Sequence, residues 1–363
     1  MSELSCSHGS ERYGAGSDVE ISIFSQDELR AEFMKKDIPA FRANQVFKWL
    51  INGESRFENM SDLPKGMREL LSDEYSAGNL CLIKKLKSKI DGTSKYIFST
   101  DDGNIIESVF MKYKFGNTVC ISTQAGCRMG CTFCASSKVA FGRNLTPIEL
   151  TSQVTNIRKE SNENVANVVL MGIGEPFDNY DNVIRFIKNL HDKNGLNMGY
   201  RRITISTCGI VNGIKKLIEE KIPVNLSVSL HSPFNEKRME IMPVSKTDTI
   251  DKLISICNIY TKETMRRITF EYTLIDGVND DLKSAYALAD LLKGMLCHVN
   301  LIPLNKTDGK GTKKLQGVRE AEKLQNFKKA LESKKIEVTV RRSLGEDVEA
   351  ACGQLRRDMI GKR

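Results

Sequence analysis

Cys127-Arg128-Met129-Gly130-Cys131-Thr132-Phe133-Cys134 places three cysteines in a C-x3-C-x2-C spacing, directly after the strand-like run 118–122. A loop this short brings soft thiolates together without help from distant chain, which suits an iron–sulfur cluster. With three local ligands on a four-iron cluster, one iron is left open for a substrate or a second cofactor. Other readings stay open on spacing alone. A zinc site asks for four ligands, usually as two separated C-x2-C pairs, and the sequence has no second pair. Buried apolar filler is the remaining alternative, although three cysteines within eight residues beside Gly126 and Gly130 suit a ligand loop better.

Working outward, the 363 residues are enough for one large domain with one or two small additions. Apolar residues at 40% and charged residues at 28% are those of an ordinary soluble protein, and only the first twenty residues look disordered. Lys and Arg outnumber Asp and Glu by 54 to 46, an excess that permits an anionic partner such as RNA without demanding one. The ten cysteines do not read as a disulfide framework, because 1–20 is polar and resembles no secretion signal. No apolar run approaches membrane-spanning length. Reduced thiols and a cytoplasmic location are expected.

Ser25, with Glu28 three residues on, predicts a capped helix carrying Leu29, Phe33 and Met34 on one face. A second helix is predicted over 41–50, with Phe41, Val46, Phe47 and Trp49 making apolar contacts, and a third from Leu63 or Pro64 through Met67, Leu70 and Leu71. Lys35, Lys36, Arg42, Lys48 and Arg56 lie between these positions, as a phosphate-binding face or as an ordinary solvated one. Residues 81–114 read as short strands separated by the turn signals Asp91-Gly92 and Asp102-Gly103. Beyond Asn117, apolar β-branched runs at 119–122, 165–171, 203–207, 224–230, 268–274 and 299–302 alternate with helical patterns, and a further strand is read at 336–342. That rhythm predicts an α/β fold with a parallel sheet, either an open (β/α)6 partial barrel or a doubly wound sheet. Reactive groups in such folds gather where strands end.

The cysteine loop with Phe133 before its last cysteine resembles the radical S-adenosylmethionine (radical SAM) superfamily. Phe141-Gly142-Arg143-Asn144-Leu145 and Ala350-Ala351-Cys352-Gly353-Gln354-Leu355 narrow the resemblance to the RlmN/Cfr family of RNA adenine methyltransferases, over roughly 20–356. The resemblance implies the (β/α)6 partial TIM barrel, with a flexible tail at 1–20, a helical RNA-binding accessory domain at 21–79, a β-hairpin extension at 80–115, a radical SAM core at 116–345 and a C-terminal segment at 346–363. It implies one [4Fe-4S] cluster on Cys127, Cys131 and Cys134, and two molecules of SAM per turnover.

Met171-Gly172-Ile173-Gly174-Glu175-Pro176 is by itself a tight turn, or a place where backbone approaches a ligand and a carboxylate holds an ammonium. In the family it is similar to the motif that contacts the SAM amino group, through Gly174 and Glu175. Ser206, Ser229, Leu230, His231 and Asn305 are similar to the remaining SAM-binding positions. Cys352 and Cys120 could be inert core thiols, but the small neighbours of Cys352 leave the space a nucleophile needs. By resemblance Cys352 carries the methyl group and Cys120 resolves the enzyme–RNA link in a transient disulfide with it. Glu107, otherwise a solvent-facing strand carboxylate, is similar to the family's proton acceptor.

Adenine C2 lies between two ring nitrogens and has no lone pair to attack a sulfonium methyl, so a radical route supplied by cofactors is required. The resemblance implies methylation of C2 of an adenosine in the peptidyl-transferase centre of 23S rRNA, and in some members of the adenosine 3′ of a tRNA anticodon. It also implies an electron donor such as flavodoxin or ferredoxin, and a monomer. Cfr-type members modify C8 of the same rRNA adenosine; Pro176 is similar to the C2 enzymes. The sequence departs from the family pattern at Ala135-Ser136-Ser137, at Ala140 and at Lys306.

Overall fold

The computed structural model describes residues 19–78, 80–304 and 318–350. Asn305, Lys306 and Cys352 lie outside these described residues.

Helix α1 (Gln26–Lys35) begins in a complete capping box: the Ser25 hydroxyl accepts from the Glu28 amide at 3.2 Å, and the Glu28 carboxylate accepts from the Ser25 amide at 2.6 Å. Leu29 and Phe33 are buried by this helix. Met34 and Phe41, expected inward, are exposed. Met34 is rotated about 100° from Phe33 around the helix, and the Phe41 ring instead lies under the Arg42 guanidinium, 4.7 Å away. Helices α2 (Ala40–Ile51) and α3 (Lys65–Glu74) complete the module around Val46, Phe47, Leu50 and Leu71, with Ile148 of the next helix in the same cluster. Of the basic residues on this module, Lys35, Lys36 and Arg56 are ion-paired, to Glu32, Glu74 and Glu54.

Strands β1 (Leu80–Lys87), β2 (Ser94–Thr100) and β3 (Ile105–Met111) form an antiparallel meander turning at Gly92 and Gly103, both at positive φ. β3 pairs antiparallel with β4 (Thr118–Cys120), so the meander continues directly into the main sheet. The parallel strands β4, β5 (Asn167–Leu170), β6 (Ile203–Thr207), β7 (Asn225–Ser229), β8 (Ile268–Leu274) and β9 (Cys297–Pro303) follow in sequence order, with β10 (Val338–Val340) beside β9. Between them run α4 (Pro147–Ser161), α5 (Tyr180–His191), α6 (Val211–Glu220), α7 (Asn235–Ile241), α8 (Ile250–Thr264), α9 (Leu282–Leu291) and α10 (Val318–Ser333). This is the (β/α)6 partial barrel; among the described residues β10 does not pair back to an earlier strand.

The strands expected to be continuously apolar instead alternate. Val168, Ile203, Ile205, Leu226, Val228, Phe270 and Leu301 face outward into the core beneath the helices. The register places the other parity on the concave face: Cys120 beside Val169, Val169 beside Thr204, Thr204 beside Asn225, and Ser229 beside Glu271 beside Asn300. Apolar burial on one face, roughly 1.5–3 kcal/mol per large side chain, therefore pays for a polar lumen on the other.

Candidate active site

Cys127, Cys131 and Cys134 line one cavity at the C-terminal ends of the parallel strands, with Gly174, Glu175, Ser206, Ser229 and His231 around it. The loop is anchored from two sides. Arg128 makes a bidentate pair with Asp178, through Nε at 2.8 Å and Nη2 at 2.5 Å, and the Thr132 amide donates to the Ile241 carbonyl at the end of α7. Phe133 packs edge-on against the His231 ring, with centroids 4.8 Å apart.

Gly174 has φ +109°, and a Cβ there would meet Thr123 Oγ1 at 2.7 Å and the Gln124 amide at 2.8 Å, so only glycine lets this turn sit against β4's exit. It delivers Glu175 to the cavity wall fully buried. The carboxylate accepts from the Cys208 amide at 2.7 Å and the Phe177 amide at 3.0 Å, yet burial outweighs both and raises its pKa. His231 is at φ +57° with Nδ1 accepting from the Thr273 amide at 2.9 Å, which puts the ring proton on Nε2. Burial, then the Arg238 charge, lower its pKa to about 3, so the ring is a neutral donor. Ser206 and Ser229 stand at the ends of β6 and β7. Leu230 is buried, and its amide donates to the Glu271 carbonyl at 3.1 Å.

The donor set fits the implied groups. Burial and the neighbouring Cys134 sulfur push the Cys127 thiol up to about 12, and burial with its two partner thiols raises Cys131 likewise. Three thiols crowded on one cavity wall repel one another as thiolates, and metal bound in place of their protons would remove that repulsion. Among the described residues no three such donors converge on a single point; a cubane makes no such demand, because each thiolate bonds a different iron. Glu175, buried beside two N–H donors and with no cation among its hydrogen-bond partners in the described residues, is matched to an ammonium group.

A second constellation lies across the sheet. Lys95 of β2 is opposite Val109 of β3, Val109 is opposite Cys120 of β4, and Glu107 is two residues from Val109 on the same face. Glu107 is not the solvent-facing carboxylate its position in a strand suggests. It is fully buried and paired with the equally buried Lys95 at 3.0 Å. Ala350, the last residue before the undescribed C-terminus, packs in one cluster with Val109, Cys120 and Ile173.

Sequence reasoning missed several polar residues of the lumen. Glu271 accepts from Ser227 at 2.8 Å and Asn300 at 2.9 Å, and Arg341 lies 3.8 Å from it. Arg238 of α7 is fully buried and donates to the carbonyls of Leu230, Cys208 and Ser229 at 3.0, 2.7 and 3.1 Å and to the Ser245 hydroxyl at 2.5 Å. Lys95 was equally hidden. Lys95 and Glu271 are charges inside otherwise buried strands, which was the available signal, whereas Arg238, set between Glu236 and Glu240 on a partly exposed helix, carries none.

A cluster-ready cysteine loop on the rim of a (β/α)6 sheet, with a ligand cavity beside it, defines a radical SAM enzyme. Residues 121–289 match the model of the radical SAM superfamily, and 19–76 match that of the ribosomal RNA large subunit methyltransferase N-terminal domain. A probable dual-specificity RNA methyltransferase RlmN of Clostridioides difficile is 49% identical over 93% of this chain and 98% of its own length. One from Alkaliphilus oremlandii is 51% identical over 87% and 91%. The crystal structure of a radical SAM methyltransferase from Sphaerobacter thermophilus superposes with a TM-score of 0.85 at 40% identity, covering 94% of this chain and all of that one. The chain belongs to the RlmN family of radical SAM RNA methyltransferases.

Proposed function

We propose that the protein methylates C2 of an adenosine in the peptidyl-transferase centre of 23S rRNA, and the adenosine 3′ of the anticodon in some tRNAs, through a methyl group carried on Cys352. The observation that carries this reading is the shared face of the sheet: Glu107 and Cys120 flank Val109, and the chain leading to Cys352 packs on the same patch through Ala350. Met171 borders both this patch and the cluster cavity.

Cys127, Cys131 and Cys134 would hold the cluster; together with SAM it supplies one-electron cleavage of the sulfonium and hence the hydrogen-abstracting radical. Glu175 holds the ammonium of SAM. Ser206, Ser229 and the Nε2–H of His231 offer hydrogen bonds to its carboxylate, ribose or adenine, with Gly174, Leu230 and Asn305 completing the set. Cys352, as thiolate, first accepts a methyl by displacement at SAM, and a second SAM is consumed in activating that methyl. Glu107 and Cys120 face the adduct formed at C2. Glu107 would accept the ring proton as the adduct's unpaired electron returns to the bound cluster. Cys120 would close a disulfide with Cys352 as the bond from the Cys352 sulfur to the transferred carbon breaks, that carbon taking up a proton so that the RNA leaves methylated. The target base must leave its stack, which single-stranded loops allow most easily.

The enzyme acts in the cytoplasm as a monomer fed by a flavodoxin- or ferredoxin-type donor; no described helix is long and apolar enough to cross a membrane. The anaerobically reconstituted protein should convert rRNA fragments so that their digests contain 2-methyladenosine by mass spectrometry. Finding 8-methyladenosine instead would overturn the C2 assignment in favour of Cfr-type chemistry. Cys352→Ala should bind SAM and leave the RNA unmethylated; retained turnover removes the role given to that thiol.

A further inference from the structure

We propose that Lys95 is a positioning residue that locks together the two halves of the methyl-transfer site, Glu107 on β3 and the C-terminal chain that leads to Cys352. This rests on the function proposed above and extends it to a residue with no motif to mark it. The Lys95 ammonium meets Glu107 Oε2 at 3.0 Å and donates to the Glu349 carbonyl at 3.3 Å. Both side chains of the ion pair are almost wholly dehydrated, at 2% and 1% exposure. Burying a lysine carries a large desolvation cost, and here a carboxylate and a carbonyl offset it at separate points of the chain.

The carbonyl is itself held in place. Glu349 has φ +51°, a conformation non-glycine residues keep only where their surroundings enforce it, and the Ala350 amide closes the turn onto the Gly345 carbonyl at 2.9 Å. The loop is tied to the β1–β2 turn as well, by the Gly345 amide on Asp91 at 2.8 Å and the Lys89 amide on Asp347 at 2.9 Å. The Lys89 tie is exposed to water and the Gly345 tie is partly buried. Lys95 ties the loop through a side chain that is itself buried, and it ends on the carboxylate that faces the reaction. One side chain thus fixes the direction of Glu107 and the depth at which the chain enters the site.

The inference is tested with the full-length reconstituted protein carrying Lys95→Met, Lys95→Arg and Lys95→Met/Glu107→Gln. Lys95→Met should slow single-turnover RNA methylation about 100-fold or more, the range of a misplaced proton acceptor, with KM for RNA changed less than about threefold. Lys95→Arg keeps the charge and should recover to within about tenfold of wild type. The double variant should be no slower than Glu107→Gln alone, because both changes disable one unit. In a separate readout, amide hydrogen exchange across 345–350 should speed up about tenfold or more in Lys95→Met relative to wild type. Methylation by Lys95→Met within about threefold of wild type, losses that multiply in the double variant, or unchanged exchange each overturn the proposal. Should Lys95→Met not fold, Lys95→Gln, uncharged and too short to span Glu107 and the Glu349 carbonyl at once, stands in with the same slowing expected and wild-type turnover overturning it. If wild type makes no methyladenosine, the proposed function fails, while the exchange measurement still decides the Lys95 tie.

Discussion

Both oxygens of Glu175 are already engaged by backbone amides, yet burial leaves the carboxyl with a raised pKa. A bound ammonium would remove that penalty, so the site stores affinity for a cationic amine. Glu175→Gln keeps the shape and loses the charge; it should weaken SAM binding to the reconstituted protein about 10–100-fold by calorimetry, the worth of one or two charge-assisted hydrogen bonds, and unchanged affinity would contradict the assignment. Glu175 was legible because glycines and a carboxylate at a strand end form a local pattern. Glu107 and Lys95 were not. Every residue of β3 is buried and all but one of β2, so alternation does not announce which face a charge takes, and their partnership exists only once the two strands are in register. Cys120 lay between these cases, since a thiol in a strand is good core until the chain carrying Ala350 is seen beside it.

At the scale of elements, the cluster loop is held by the pieces that follow it. Arg143 pairs with Asp102 in the β2–β3 turn through Nε at 2.6 Å and with Glu149 in the first turn of α4 at 2.8 Å, joining three elements with one guanidinium. Arg143, by its hydrogen bond and charge, holds the Asp102 carboxyl well below the usual carboxylate range. A depressed pKa contributes stability that is complete above the unfolded value near 3.9 and disappears as pH falls through the folded one. Asp102→Asn should therefore lower the melting temperature at pH 7, by an amount equivalent to about 1 kcal/mol once solvent screening at this half-exposed carboxylate is allowed for. The gap to wild type should shrink steadily below pH 4, and a gap that is constant with pH would assign the effect to something other than this pair. Arg238 makes the stronger case, because it is buried and its bonds run to carbonyls at the ends of β6 and β7. Arg238→Met strands those acceptors and should cost about 3–5 kcal/mol by denaturant unfolding of the cluster-free protein; a loss below about 1 kcal/mol would show that water replaces the guanidinium. The strands themselves were legible from β-branched runs, and β6 and β8 begin and end where the sequence places them. Their polar parity was not, because serines and threonines such as Ser206, Ser227 and Thr269 suit a strand equally well whether they face helices or a lumen.

Over the whole molecule, an open sheet leaves its first and last strands without partners in each other, and the C-terminal chain bridges the gap through side chains and turns. Arg341 reaches Met171 at 3.6 Å from the far end of the sheet, and the 345–350 loop then lands on the β1–β2 turn and on the face bearing Cys120. This closure was not legible in the sequence: it depends on contacts spanning about 250 positions, such as Lys89 with Asp347, that no local pattern encodes. Gly345 is its hinge. It sits at φ +66°, and a Cβ there would meet the Ala350 Cβ at 2.8 Å and Thr93 Cγ2 at 2.9 Å. Gly345→Val adds both the backbone strain and the clash, so the loop must lift from the sheet, while the cluster cavity, lined by β5–β9, the sheet's loops and Arg341 of the C-terminal chain, keeps its other walls. The expected result is a split phenotype: SAM affinity within about threefold of wild type, and RNA methylation down about 100-fold or more, the scale on which a small misplacement of reacting groups acts. Loss of SAM binding in parallel with methylation would show instead that the C-terminal loop holds the barrel together, and would make the bridge a structural clasp rather than part of the reaction geometry.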